Sequence, residues 1–269
     1  MPPRTFPHPI PVDHFAALQD QYLQDLVSFQ TVRALALKQG QVALVGDFAT
    51  IALGLSYLAW WRGRPAADVA AFASDAVAIA LAATERGYVF RSPYDYWLLC
   101  CAAVALDHPE AERLLTLRKA RWSNTPHGRV EGMLPLLVPA LAAAIGAAGE
   151  PGSALRAVQA LLREGLDQPD HREEALRFAP TVGALAAVHT GREDTWGAAV
   201  RARQDGWAVE SRQFPNAPMF LLDWEGLAMR RLAREAGFAL PQDEVQRPHA
   251  LLEAGTGDPG TLGDRLGPS

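Results

Sequence analysis

The sequence predicts an all-α protein, a compact multi-helix domain of stacked antiparallel helical hairpins, and three observations carry that prediction. Apolar residues recur at helical spacing, as in Phe15, Leu18, Tyr22, Leu26 and Phe29, where intervals of three and four residues turn one face toward a core. Glycine followed by a large apolar residue recurs at Gly87-Tyr88, Gly165-Leu166, Gly206-Trp207 and Gly237-Phe238. That is the pattern of a helix end, in which glycine turns left-handed and the next side chain packs back on the last turn. Strand signals are nearly missing: no β-branched and aromatic run alternates with polar residues, and no Asn-Gly or Asp-Gly joins two such runs. Leu44-Val45 and Tyr88-Val89-Phe90 are too short to alter the class.

These signals place helices at 13–38, 41–62, 66–86, 93–106, 109–121, 130–148, 152–164, 171–190, 193–211 and 218–236. The start at Pro93 is the fullest, with Ser92 as cap, proline at the first helical position and Asp95 at the third. Asp170 with Glu173 repeats the arrangement. Segments 43–61, 76–83 and 98–106 are apolar nearly all round, which makes them central and wrapped by amphipathic neighbours. Short connections favour antiparallel neighbours. No fixed period near 34 residues and no tetratricopeptide pattern is found. Residues 1–11 form a proline-rich arm, 12–253 the helical domain and 254–269 a disordered tail, while 122–129 is the long surface loop.

A chain of 269 residues with 49% hydrophobic and 20% charged residues buries a continuous core. Its net charge of −5 argues against nucleic acid as the main partner, because counterion release needs a dense basic surface. Only Lys38 and Lys119 are lysines among 25 basic residues, the arginine and alanine bias of a GC-rich genome, so no arginine gains weight merely for being one. Cys100 and Cys101 are adjacent in an apolar run and read as reduced core residues. The start carries five prolines and no apolar segment after its charge, so a cytoplasmic protein without a secretory signal is expected. The uncharged run 132–149 has the length of a membrane span but is broken by Pro135 and Pro139 and diluted by alanine, so a core helix and no membrane insertion are expected.

The search for chemistry finds no assembled reaction centre. Gly255-Thr256-Gly257-Asp258-Pro259-Gly260 matches the dinucleotide fingerprint in form but lacks the preceding strand and following helix. The seven histidines are scattered, with no pair four residues apart, so no metal ligand set and no cofactor is assigned; His108 and His171 sit at helix starts, where capping accounts for them. Asp95 lies beside Tyr94 and Trp97, and Asp223-Trp224-Glu225 follows an apolar stretch; an acid among large apolar side chains can serve as a raised-pKa general acid. Against that, Asp95 fits a cap, and Asp223 and Glu225 on one helix point in different directions. Asp47, between Gly46 and Phe48, reads as a buried acid in an ion pair between helices. Most of the seven tryptophans read as core, and the basic clusters around Arg118 and Arg231 as solvated helix faces.

Two segments resemble a known group. Residues 94–107, from Tyr94 through Trp97 to Asp107, with Pro109 to Leu114 after them, are similar to the central helical pair of bacterial all-α immunity proteins. Residues 220–238 and the Pro248-x-x-Leu251-Leu252 finish are similar to their closing helix. The nearest group is the immunity proteins of polymorphic-toxin systems, those of PoNe-type nuclease toxins among them; His249 departs from its usual finish. The resemblance implies a bacterial cytoplasmic antitoxin, not an enzyme, that neutralises a cognate protein toxin by stoichiometric binding. The contact residues expected on that basis are the aromatic and charged positions Tyr94, Asp95, Trp97, Arg118, Arg121, Trp122, Asp223, Trp224 and Glu225, taken as exposed. Two other readings stay open: a helical-repeat adaptor or regulator with another partner, and a helical enzyme in which acids such as Asp47, Asp95 or Asp223 meet in a pocket.

Overall fold

Three helices with few charges make the centre: α2 (Val42–Trp61), α3 (Ala66–Glu85) and α4 (Pro93–Ala105). In the computed structural model, which describes residues 6, 10–38, 42–85, 87, 89–90, 93–117, 121–122, 134–147, 151–240 and 247–256, almost every side chain of 96–106 is excluded from solvent. That is the placement expected of helices with no polar face. One described helix, α3, is long and apolar enough to cross a membrane, but 67% of its apolar window is buried inside the protein, the placement of a core helix.

The remaining helices surround this centre. Helix α1 (Val12–Lys38) runs antiparallel to α2, since Phe15 meets Trp61 edge-on at 5.7 Å while Tyr22, further along, lies over Gly54. A methyl group at Gly54 would collide with that ring. Arg62 Nε donates to Gln19 Oε1 at 2.9 Å and fixes the same register. Helix α5 (Ala111–Thr116), α6 (Leu134–Ala144) and α7 (Pro151–Asp167) follow, and then α8 (Arg172–Thr190) and α9 (Glu193–Gln213). The chain closes with α10 (Trp224–Glu235) and α11 (His249–Ala254), whose Leu251 and Leu252 are buried against α3. The only strand pairing among the described residues is a parallel contact of two residues each, β1 (Val89–Phe90) with β2 (Arg121–Trp122). The protein is therefore all-α.

Several boundaries differ from expectation for identifiable reasons. Gly87 and Gly237 do end helices in the left-handed conformation, at φ 84° and 78°. Gly165 and Gly206 do not: α7 runs on to Asp167 and α9 to Gln213. In both cases a proline shortly downstream, Pro169 or Pro215, limits the helix instead. Helix 109–121 shrinks to α5, because Leu117 turns extended at ψ 109°. Helix 218–236 divides: Pro218–Leu221 is a 3-10 turn, Leu222 is extended (φ −150°, ψ 125°), and α10 starts only after Asp223. Asp170 lies in a second 3-10 turn, and no side-chain hydrogen bond caps α8. Ser92, residues 123–129 and the tail beyond 256 lie outside the described residues.

Candidate functional site

The break between Leu221 and Trp224 turns Asp223 into the cap of α10. Its Oδ1 accepts the Gly226 N–H at 2.8 Å, satisfying one of the donors that a helix start leaves open. Two guanidinium groups close on the same carboxylate. From α9, Arg203 Nη2 donates to Oδ1 at 2.8 Å and Nε to Oδ2 at 3.2 Å; from the segment before α11, Arg247 Nε donates to Oδ2 at 2.6 Å. Asp223 and Arg247 are fully enclosed and Arg203 nearly so.

Burial by itself pushes the Asp223 carboxyl up, but Arg203 and Arg247, with the Gly226 N–H, outweigh it and hold the group at about 2. Arg203 is desolvated too, and Asp223 and Glu225 keep it charged. Glu225, in the first turn of α10, accepts from Thr181 Oγ1 on α8. Its Oε2 lies 3.2 Å from Arg203 Nη2, close enough for charge attraction though not aligned as a hydrogen bond. Asp223 and Glu225 thus converge on one arginine, contrary to the divergence expected of two positions inside a helix, because Asp223 stands at the cap.

A second layer surrounds the cluster. Arg177 of α8 lies over the Tyr94 ring at 4.9 Å and pairs with Glu210 of α9 at 3.2 Å. Arg203 lies 5.1 Å over Trp207, which meets Phe220 edge-on at 5.0 Å. Burial raises the Tyr94 phenol first, and Glu225 adds to it. The Tyr57 phenol is raised by burial and then by the nearby Tyr94, Asp223 and Asp95, so α2, α4 and α10 meet here. Trp224 anchors the junction, with its Nε1 donating to Ser56 Oγ on α2 at 3.1 Å. Beside the cluster, α8, α9 and α10 leave a shallow cleft of about 280 Å³ including its open mouth, walled largely by Pro180, Ala184, Val200 and Met229 with Arg203 and Arg247 at its side.

The two segments singled out in the sequence do come together, yet not as an exposed surface. Tyr94 and Asp95 are half-buried; Trp97, Asp223, Trp224 and Glu225 are inaccessible, so the exposure expected of those four is corrected. Arg121 and Trp122 form β2, their side chains outside the described residues, as is Arg118. Trp60, Trp61, Trp196 and Trp207 are core as well. Asp47, expected inside, is exposed on α2, so it cannot meet Asp223 in one pocket. Among the described residues no group of three or more histidine, cysteine and acidic side chains is placed to hold a metal. Sequence reasoning missed Arg203, Arg247, Thr181 and Gly226. Only Asp223-x-x-Gly226, a cap residue three positions before a glycine, offered a signal, and Arg247 lies too far along the chain to be paired by spacing.

No protein-family model, no curated protein and no solved structure matches the chain.

Proposed function

We propose that the chain is a bacterial immunity protein that neutralises a cognate toxin by stoichiometric binding in the cytoplasm. The observation that supports this reading best is the state of Asp223. An acid held at about 2 by two guanidinium groups and a backbone N–H is fully ionised and hydrogen-bonded at neutral pH, so it is no proton donor. Glu225 is spent on Thr181 and Arg203, and Asp47 is exposed whereas Asp223 and Glu225 are buried. The acids with most chemical promise therefore stiffen a scaffold, and a rigid scaffold is what a binding protein needs to keep its ordering cost low. Binding then rests on surface residues, with Arg118, Arg121 and Trp122 the candidates the sequence offers.

Co-expression with proteins encoded beside it tests the proposal. The chain should rescue cells from one neighbouring toxin, fail against unrelated toxins, and copurify with the one it blocks. A helical adaptor would copurify with partners whose activity it leaves intact, and that outcome would count against an immunity role.

A further inference from the structure

Three of the four exposed large hydrophobic residues among those described lie on or next to the α8–α9 hairpin: Leu176 at 55%, Val209 at 46% and Phe214 at 58% exposure. Gly183 faces Ala199 and Arg177 faces Glu210, so the two helices run antiparallel, with Leu176 level with residues near 209. Helical periodicity puts Leu176 on the same side of α8 as Gly183, toward the α9 rim that carries Ala198, Ala202 and Val209, all exposed. The outer face of α9 thus carries a narrow apolar stripe, Ala198, Ala202 and Val209, over some three turns, with charged residues beside it. It is flanked by Arg201 and Asp205, both exposed and neither in an ion pair with another described residue.

We propose that this face pairs with a second copy of the chain, α9 against α9 in antiparallel orientation. The argument is charge self-complementarity. A two-fold axis level with residue 203 puts Arg201 of each copy at the height of Asp205 of the other, on the same flank, and does so twice. The same axis brings Ala198 to within one residue of the height of Val209, and the small side chains at 198 and 202 allow the helices to approach closely. A heterologous partner has no reason to find one arginine and one acid spaced four residues apart on the same edge; a second copy matches them by symmetry. One helix pair with Leu176 beside it buries less than a standard interface, so the dimer is weak and reversible, with dissociation in the roughly micromolar range. This inference does not depend on the toxin reading.

Sedimentation velocity of the full chain between about 1 and 200 µM tests it. The expected result is a concentration-dependent monomer–dimer equilibrium. Arg201→Asp should weaken it at least tenfold, and Arg201→Asp with Asp205→Arg, which rebuilds the pairs with exchanged signs, should restore it. Leu176→Glu with Val209→Glu should give monomer with an unchanged helical circular-dichroism spectrum and melting temperature. A chain that stays monomeric throughout, or a dimer that none of these variants affects, overturns the proposal.

Discussion

Gly226 has no space for a methyl group: a Cβ there would lie under 3 Å from Asp223 Oδ2 and from Arg247 Nε and Cδ. Neither neighbour can yield, because each is buried and hydrogen-bonded to the other. Gly226→Ala should therefore cost about 2–4 kcal/mol in urea unfolding, combining overpacking with loss of a buried ion pair. A cost below about 0.5 kcal/mol would show that Arg247 does not cross the start of α10. Asp107 is the one described non-glycine residue with positive φ, 53°, and it ends α4 with the same hydrogen bonds that glycine makes elsewhere. Arg231 Nη2 holds it at 2.5 Å. Asp107→Ala should destabilise by about 1 kcal/mol, and Asp107→Gly by clearly less, since only the former keeps the left-handed strain while losing the arginine contact. At His108, burial lowers the imidazole pKa more than Glu110 and the Ser74 backbone raise it, and its Nδ1 accepts the Glu110 N–H at 3.1 Å. The unfolded chain then takes up the proton first, so this contribution is complete above about pH 6.5 and is lost as pH falls below it. Asp223 has the usual acid sign: its contribution is complete above about pH 4 and disappears toward pH 2. His108→Gln should remove the decline that sets in below about pH 6.5 while leaving the acid limb below about pH 4 in place.

Among the elements, α9 shows what a glycine cue can and cannot say. Gly206 sits inside the helix with nothing within 4 Å of a built Cβ, whereas Gly191, at φ 67°, ends α8 with its N–H and that of Arg192 bonded back to Val188 and Ala187. Gly206→Ala should stabilise by about 0.5–1 kcal/mol, and Gly191→Ala should destabilise by a similar amount. Opposite signs in thermal unfolding are the check; equal signs would mean that α9 is broken at Gly206. Apolar pattern made α1, α2, α3, α4, α8 and α9 legible to within a few residues, α2, α3 and α4 as long runs with few charges and the others by their spacing. Glycine followed by a large side chain did not separate a left-handed stop from a glycine inside a helix, since Trp207 packs on Phe220 from a continuing α9. The break before α10 was illegible for a related reason: Phe220, Leu221 and Leu222 continue the apolar pattern, and only the tertiary demand on Asp223 makes the chain leave and re-enter the helix there. Helix α11 is a single short turn region whose burial depends on α3, so spacing alone could not show it.

Across the whole molecule, Asp223 and Glu225 draw α8, α9, α10 and the segment at Arg247 onto one junction beneath Tyr94 of α4. The sequence marked Tyr94, Asp95, Asp223 and Glu225 as notable and could not mark their counter-charges, because arginine is common throughout the chain and the partners lie 20 and 24 residues from Asp223. Such a junction ties the helices together, and a pre-organised scaffold is what the proposed neutralisation by binding requires. The most direct test is a titration of the activity of a neighbouring toxin with the purified chain. The account predicts that activity falls linearly to zero at a fixed molar equivalence and that the complex isolates at that same ratio; loss of toxicity at a small fraction of equivalence, with the chain recovered free, would contradict it.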